Sequence, residues 1–120
     1  MIKRISEAKA LPYSKARRRL SADIASIELV PYHSSSFRDY GKWQRELKSV
    51  QLARDFVKKF VVKRVQSGRA IAIITRKANV WDLDSRSGVI VYSSGEARAA
   101  HMTPSSKGGR AILEWYGIDL

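Results

Sequence analysis

Apolar residues come in short runs separated by basic stretches, and the spacing within each run predicts its conformation. Over residues 3–24, Ile5, Ala8, Leu11, Ala16, Leu20 and Ile24 recur among lysines and arginines, with Pro12 and Ser14 interrupting. Proline breaks a helix interior and serine is a favoured N-cap. The segment therefore reads as a two-piece basic helix whose second part, KARRRLSADI, starts behind Ser14. SIELVPY follows, with Ile27, Leu29 and Val30 forming a strand of about five residues that ends at Pro31. HSSSFRDYGKWQRELKS reads as a loop and a short helix. Ser49 then caps a longer helix, VQLARDFVKKFVVKRVQ, with Ala53, Phe56, Val57, Phe60, Val61 and Val65 at helical spacing and Gly68 as its stop.

RAIAIIT is a nearly continuous apolar run bounded by charge, the pattern of a strand buried on both faces in a parallel sheet. ANVWDLDSRSG predicts a helical turn and a loop, VIVYSS a third strand, and GRAILEWYGI a final helix. Strand, long helix, strand is a crossover unit, which is nearly always right-handed. The order predicts a small three-layer α/β domain with a mostly parallel sheet of about three strands flanked by helices. Residues 1–120 are read as one such domain, with a basic helical N-terminal segment over 1–25. Three strands make a thin sheet, which dimerisation or a missing N-terminal half would explain.

Charge changes the picture more than length does. Lys plus Arg number 23 against 11 acids, for a net charge of +12. Such a balance points to a polyanionic partner, because basic surfaces bind phosphates and release their counterions. DNA or RNA is the first expectation and an anionic membrane surface the lesser one. The chain has no cysteine, which excludes disulfides and thiolate metal sites. No segment approaches the length of a membrane span and the N-terminus lacks a continuous apolar stretch, so a soluble, cytoplasmic protein is expected.

Ligands of open parallel sheets bind beyond the carboxyl ends of the strands. That rule selects Tyr32, His33 and Ser34 after the first strand, Arg76 and Lys77 after the second, and Ser93, Ser94 and His101 after the third. His33 and His101 are the candidate catalytic groups, since imidazole donates or accepts near neutral pH, or else loop residues that cap backbone groups. Arg76 and Lys77 suit a phosphate clamp. In SSKGGR, Lys107 and backbone amides at the start of the last helix suit a phosphate, with Ser105 and Arg110 beside them, although the order of glycine and lysine is not that of a Walker A loop. Lys15, Arg17, Arg18 and Arg19 form the densest basic run and the best candidate for backbone contacts. Arg54, Lys58, Lys59, Lys63 and Arg64 read as a solvated helix face. Trp43, Trp81 and Trp115 read as core before they read as base-stacking groups. Asp39, Asp55, Asp82, Asp84 and Glu96 form no nuclease-like pattern with the histidines, and Asp82 and Asp84 fit a turn. Neither a metal site nor a cofactor is expected.

The ordered series SIELVPYHSSSF, a tryptophan and long helix, RAIAIITRKANVW, then VIVYSSGEARAAHMTPSSKGG resembles the C-terminal half of the uracil-DNA glycosylase superfamily over roughly residues 26–110. His101 to Ser105 is similar to that family's His-Pro-Ser-Pro-type loop, with Met102 and Thr103 replacing its first proline and serine. The resemblance implies that His101 bonds a flipped base or steadies the departing one, that Ser105 touches DNA phosphate, and that Tyr32 and His33 face the base edge. The family's first motif, a Gly-rich loop with a water-activating group, has no counterpart in residues 1–25. The expectation is a nucleic-acid-binding protein of glycosylase-like form that holds the phosphate backbone at the edge of its sheet. An active base-excision glycosylase or other nucleic-acid hydrolase is one alternative. A structural or regulatory module for an acidic protein partner, as a homo-oligomer or in a larger complex, is the other.

Overall fold

The computed structural model describes residues 1–29, 47–83 and 86–119. Two short helices open the chain, α1 (Ile2–Ala8) and α2 (Tyr13–Asp23), packed against each other. Pro12 occupies the N-cap position of α2, so its fixed φ of −55° sets the turn between the two pieces. The helix starts at Tyr13 and has no side-chain cap, so Ser14 lies inside it and not ahead of it. Ile5 of α1 and Ala16 of α2 are fully buried with Leu113 and Ile118 from the C-terminal end. The basic N-terminal segment is thus docked on the last helix; Arg4 donates to the Asp119 carbonyl at 3.2 Å, and the Tyr116 hydroxyl donates to Asp23 at 2.7 Å.

The long helix runs without interruption through α3 (Lys48–Phe56), a π-helical turn (Val57–Val61) and α4 (Val62–Gln66). It begins one residue before the expected cap, with Leu47 at the N-cap position and no side-chain cap from Ser49. Residues four apart drift by about 40° in an α-helix, and the wider π turn takes up that drift. Val57, Val61 and Val65 accordingly all face one core. Gly68 ends the rod at φ 71°, its N–H donating to the Val65 carbonyl at 3.0 Å while that of Arg69 reaches the Arg64 carbonyl at 2.9 Å.

Strand β1 (Ala72–Ile74) leads through a one-turn helix, α5 (Ala78–Trp81), to β2 (Val89–Val91). The two strands pair in parallel, Ile73 opposite Ile90, as the apolar run predicts. The fold is α/β in this reduced sense: among the described residues the sheet has two strands, not three. Residues 26–29, the described part of the stretch where the first strand was expected, make no strand. Ile27 is exposed, and Leu29 is buried against Val50 and Val80. The crossover between paired strands therefore runs through α5 and not through the long helix.

Alternation along the strands builds the layers. Ala72, Ile74, Val89 and Val91 share the face that meets Val57 and Val65 of the long helix. Ile73 points the other way, and its Cγ2 lies against Gly108 at the start of α6 (Lys107–Trp115). Asp82, in the left-handed region at the end of α5, accepts from Arg54 at 2.7 Å and lies 3.9 Å from Lys58. Arg54 is thus a tie between the long helix and α5 and not a solvated charge. Phe56 and Phe60, expected in the core, are 48% and 57% exposed, and Trp115 is 45% exposed. Trp81 is half-buried beside two apolar clusters.

Candidate nucleic-acid interface

Parallel pairing brings the carboxyl ends of β1 and β2 to one edge, as the strand-end rule requires. Three segments converge there: Thr75 to Lys77, Tyr92 to Glu96, and Ser106 to Gly109 at the start of α6. Lys77 takes the left-handed conformation, φ 56°, which turns the chain sharply from β1 into α5. Arg76 and Lys77 each already have a partner within the chain.

The polar groups of this edge mostly satisfy one another. The Ser93 N–H donates to Glu96 at 3.1 Å and the Glu96 N–H to the Ser93 hydroxyl at 3.2 Å, a reciprocal capping box on the 3₁₀ turn Glu96–Ala99. The Ser93 N–H, then the Ser93 hydroxyl, with Lys107 nearby, hold the Glu96 carboxyl below the usual carboxylate range. Lys107 donates to the Val91 carbonyl at 2.8 Å and lies 3.6 Å from Glu96. The Gly108 N–H donates to the Tyr92 hydroxyl at 2.7 Å, and the Gly109 N–H to Ser106, the N-cap of α6, at 3.0 Å. Ser106 in turn donates through both its hydroxyl and its N–H to the Thr103 carbonyl, at 2.8 and 3.0 Å.

The glycine pair is explained by this seating. A Cβ on Gly109 would collide with the Thr103 carbonyl, and one on Gly108 would lie 2.7 Å from the Met102 sulfur and 2.8 Å from the Tyr92 oxygen. SSKGGR thus brings a loop against a helix start, and the amides of Gly108 and Gly109 face partners inside the chain. Ser105 is exposed, 3.4 Å from the Thr103 hydroxyl, and His101 and Arg110 are exposed as well. Tyr32, His33, Ser34 and Trp43, with Asp39 and Asp84, lie outside the described residues.

On a different surface, Lys15, Arg17 and Arg18 of α2 are exposed, and among the described residues they make no ion pair. Arg19 differs, lying 5.9 Å from the centre of the Tyr116 ring, a cation–π contact. Desolvation, and then the bond to Asp23, push the Tyr116 hydroxyl up to about 12. Tyr116 thereby fixes the C-terminal side of α2 while the outer face stays open.

Beside the sheet, a cavity lined by Val61, Val65, Leu83 and Val89 holds about 20 Å³, room for a single water. Among the described residues no cluster of three or more His, Cys, Asp or Glu side chains could hold a metal ion, and no helix is long and apolar enough to cross a membrane. Two features escaped sequence reasoning although their signals are present. Ser93-x-x-Glu96 is a capping-box pattern, and the apolar arc from Phe56 to Val62 is too wide for one core-facing side. No family model matches this sequence, nor does any curated protein or solved structure.

Proposed function

We propose that this chain is a nucleic-acid-binding protein that holds the phosphate backbone on the outer face of α2. The carrying observation is the exposed row Lys15, Arg17 and Arg18, without ion pairs among the described residues, on a chain of net charge +12. Cations on a rigid helix meet a regularly spaced polyanion with little loss of order, and each contact releases a counterion. Exposed Arg110 and Ser105 extend the proposal toward the sheet edge as secondary contacts. Base excision is not part of it, since no observation favours a catalytic role for exposed His101.

Fluorescence anisotropy with a labelled duplex over a salt series tests the reading. Affinity should fall steeply with log salt, and the Lys15→Ala, Arg17→Ala, Arg18→Ala triple variant should flatten that slope. A wild-type protein that binds no oligonucleotide even at low salt would remove it.

A further inference from the structure

The outer side of the long helix carries a feature that the fold does not explain. Phe56 and Phe60 are 48% and 57% exposed, and their rings lie 5.2 Å apart at 42°. Leu52, one turn earlier, is 60% exposed. The helix already uses its broad apolar side, through Val50, Val57 and Val65, for the core. Packing therefore leaves a narrow ladder of two rings and a leucine in water. The π turn holds Phe60 in that row, and such turns recur at functional sites.

What borders the ladder indicates what covers it. Lys59 and Lys63 lie within one helical turn of Phe60, and Arg64 continues its row. All three are exposed and make no ion pair among the described residues, and Asp55 is the acid on this side. Two rings and a leucine are too few for a protein interface, which takes roughly 800 Å² from each partner. Membrane-surface helices likewise need a broad apolar face, which here is inside. Rings spaced along a cationic row are the arrangement that binds single strands: bases stack on the rings while cations follow the phosphates.

We infer that the outer face of the helix over residues 48–66 binds single-stranded nucleic acid, with Phe56 and Phe60 as the base-stacking platform beside Lys59, Lys63 and Arg64. The inference rests on the nucleic-acid reading above and adds the strand state and a second contact surface. A duplex keeps its bases stacked inside and can use only the cations.

The test compares a labelled dT20 strand with a 20-base-pair duplex at one salt concentration, using the full chain. Phe56→Leu, Phe60→Leu keeps the apolar surface and removes the π faces. It should weaken dT20 binding by about tenfold or more while duplex affinity stays within twofold. Phe56→Tyr, Phe60→Tyr should retain dT20 binding. Equal loss on both ligands, or no loss on dT20, overturns the inference. So does a drop in melting temperature as large as that of a core deletion in the Phe56→Ala, Phe60→Ala variant, since the rings would then be covered by the chain itself. Vesicles of 3:1 phosphatidylcholine and phosphatidylserine, and light scattering, cover the other occupants. Vesicle binding or self-association that depends on the rings, with dT20 affinity unchanged by their loss, also overturns it. If the duplex binds with a steep salt slope and the Leu variant leaves dT20 binding unchanged, the inference fails and the general reading stands. If neither ligand binds, both fail.

Discussion

The edge of the sheet and the outer face of α2 are both rich in basic and hydroxyl groups, yet they differ in where those groups are directed. At the edge, Ser93 bonds to Glu96, and Lys107, Ser106 and the amides of Gly108 and Gly109 bond to Val91, Thr103, Tyr92 and one another. On α2, Lys15, Arg17 and Arg18 stand in solvent without such partners among the described residues. A polar group already satisfied within the fold must break a bond to hold a ligand, whereas a solvated cation gives up only water and counterions. Residue type alone therefore does not locate a binding surface.

The largest expected effect tests the first half of this contrast. Gly109→Ala places a methyl group against the Thr103 carbonyl, which is backbone and cannot swing aside. Overpacking of this kind should cost about 3 kcal/mol, read as a lower midpoint in urea. Gly108→Ala meets the tips of Met102 and Tyr92 and should cost less. An unchanged midpoint for Gly109→Ala would mean that the loop is not seated on α6, and the contrast would collapse.

The second half is tested by affinity. Removing Lys15, Arg17 and Arg18 together should lower the salt slope of duplex binding by about 2.7, at about 0.9 per phosphate contact, with folding stability changed by less than about 0.5 kcal/mol. Lys107→Ala should do the reverse, lowering the melting temperature and leaving the slope alone. A slope that responds to Lys107 and ignores α2 would exchange the roles of the two surfaces.

The same contrast explains what was legible in the sequence. RAIAIIT and VIVYSS form a parallel pair because uninterrupted apolar runs can be buried on both faces, and Pro12 and Gly68 act through fixed local dihedrals. SIELVPY fails as a strand over its described part because strand pairing is a tertiary decision, and Leu29 alone finds a pocket there. Phe56 and Phe60 satisfy helical spacing for the core, but spacing does not say how wide the core is. His101 and the glycine pair follow a strand as expected, yet whether a loop's amides face a ligand or another loop depends on contacts up to sixteen residues apart, such as Gly108 to Tyr92.

Alkaline titration probes how firmly α2 is held. The Tyr116 hydroxyl has a folded-state value raised from 10.0 to about 12, so its neutral form is favoured by folding. That contribution is complete below pH 10 and is lost as pH rises from there toward 12. Wild type should lose more melting temperature than Tyr116→Phe between pH 9 and pH 11.5. Parallel losses in the two proteins would detach Tyr116 from the docking of α2.

Acid probes the sheet edge with the smallest expected effect. The Glu96 carboxyl is lowered from 4.5 first by the Ser93 N–H, then by the Ser93 hydroxyl, with Lys107 adding to both. A lowered folded value means that the contribution is present at neutral pH and disappears as pH falls through the folded value. The carboxyl is in water, so salt screens the Lys107 part more than the direct bond from the Ser93 N–H. Glu96→Gln keeps an acceptor for the Ser93 N–H and cannot titrate, so it should melt slightly below wild type at pH 7, and the difference should shrink steadily as pH falls below 4.5. A difference that does not shrink with acid would assign Glu96 a packing role and leave the capping box without its charge.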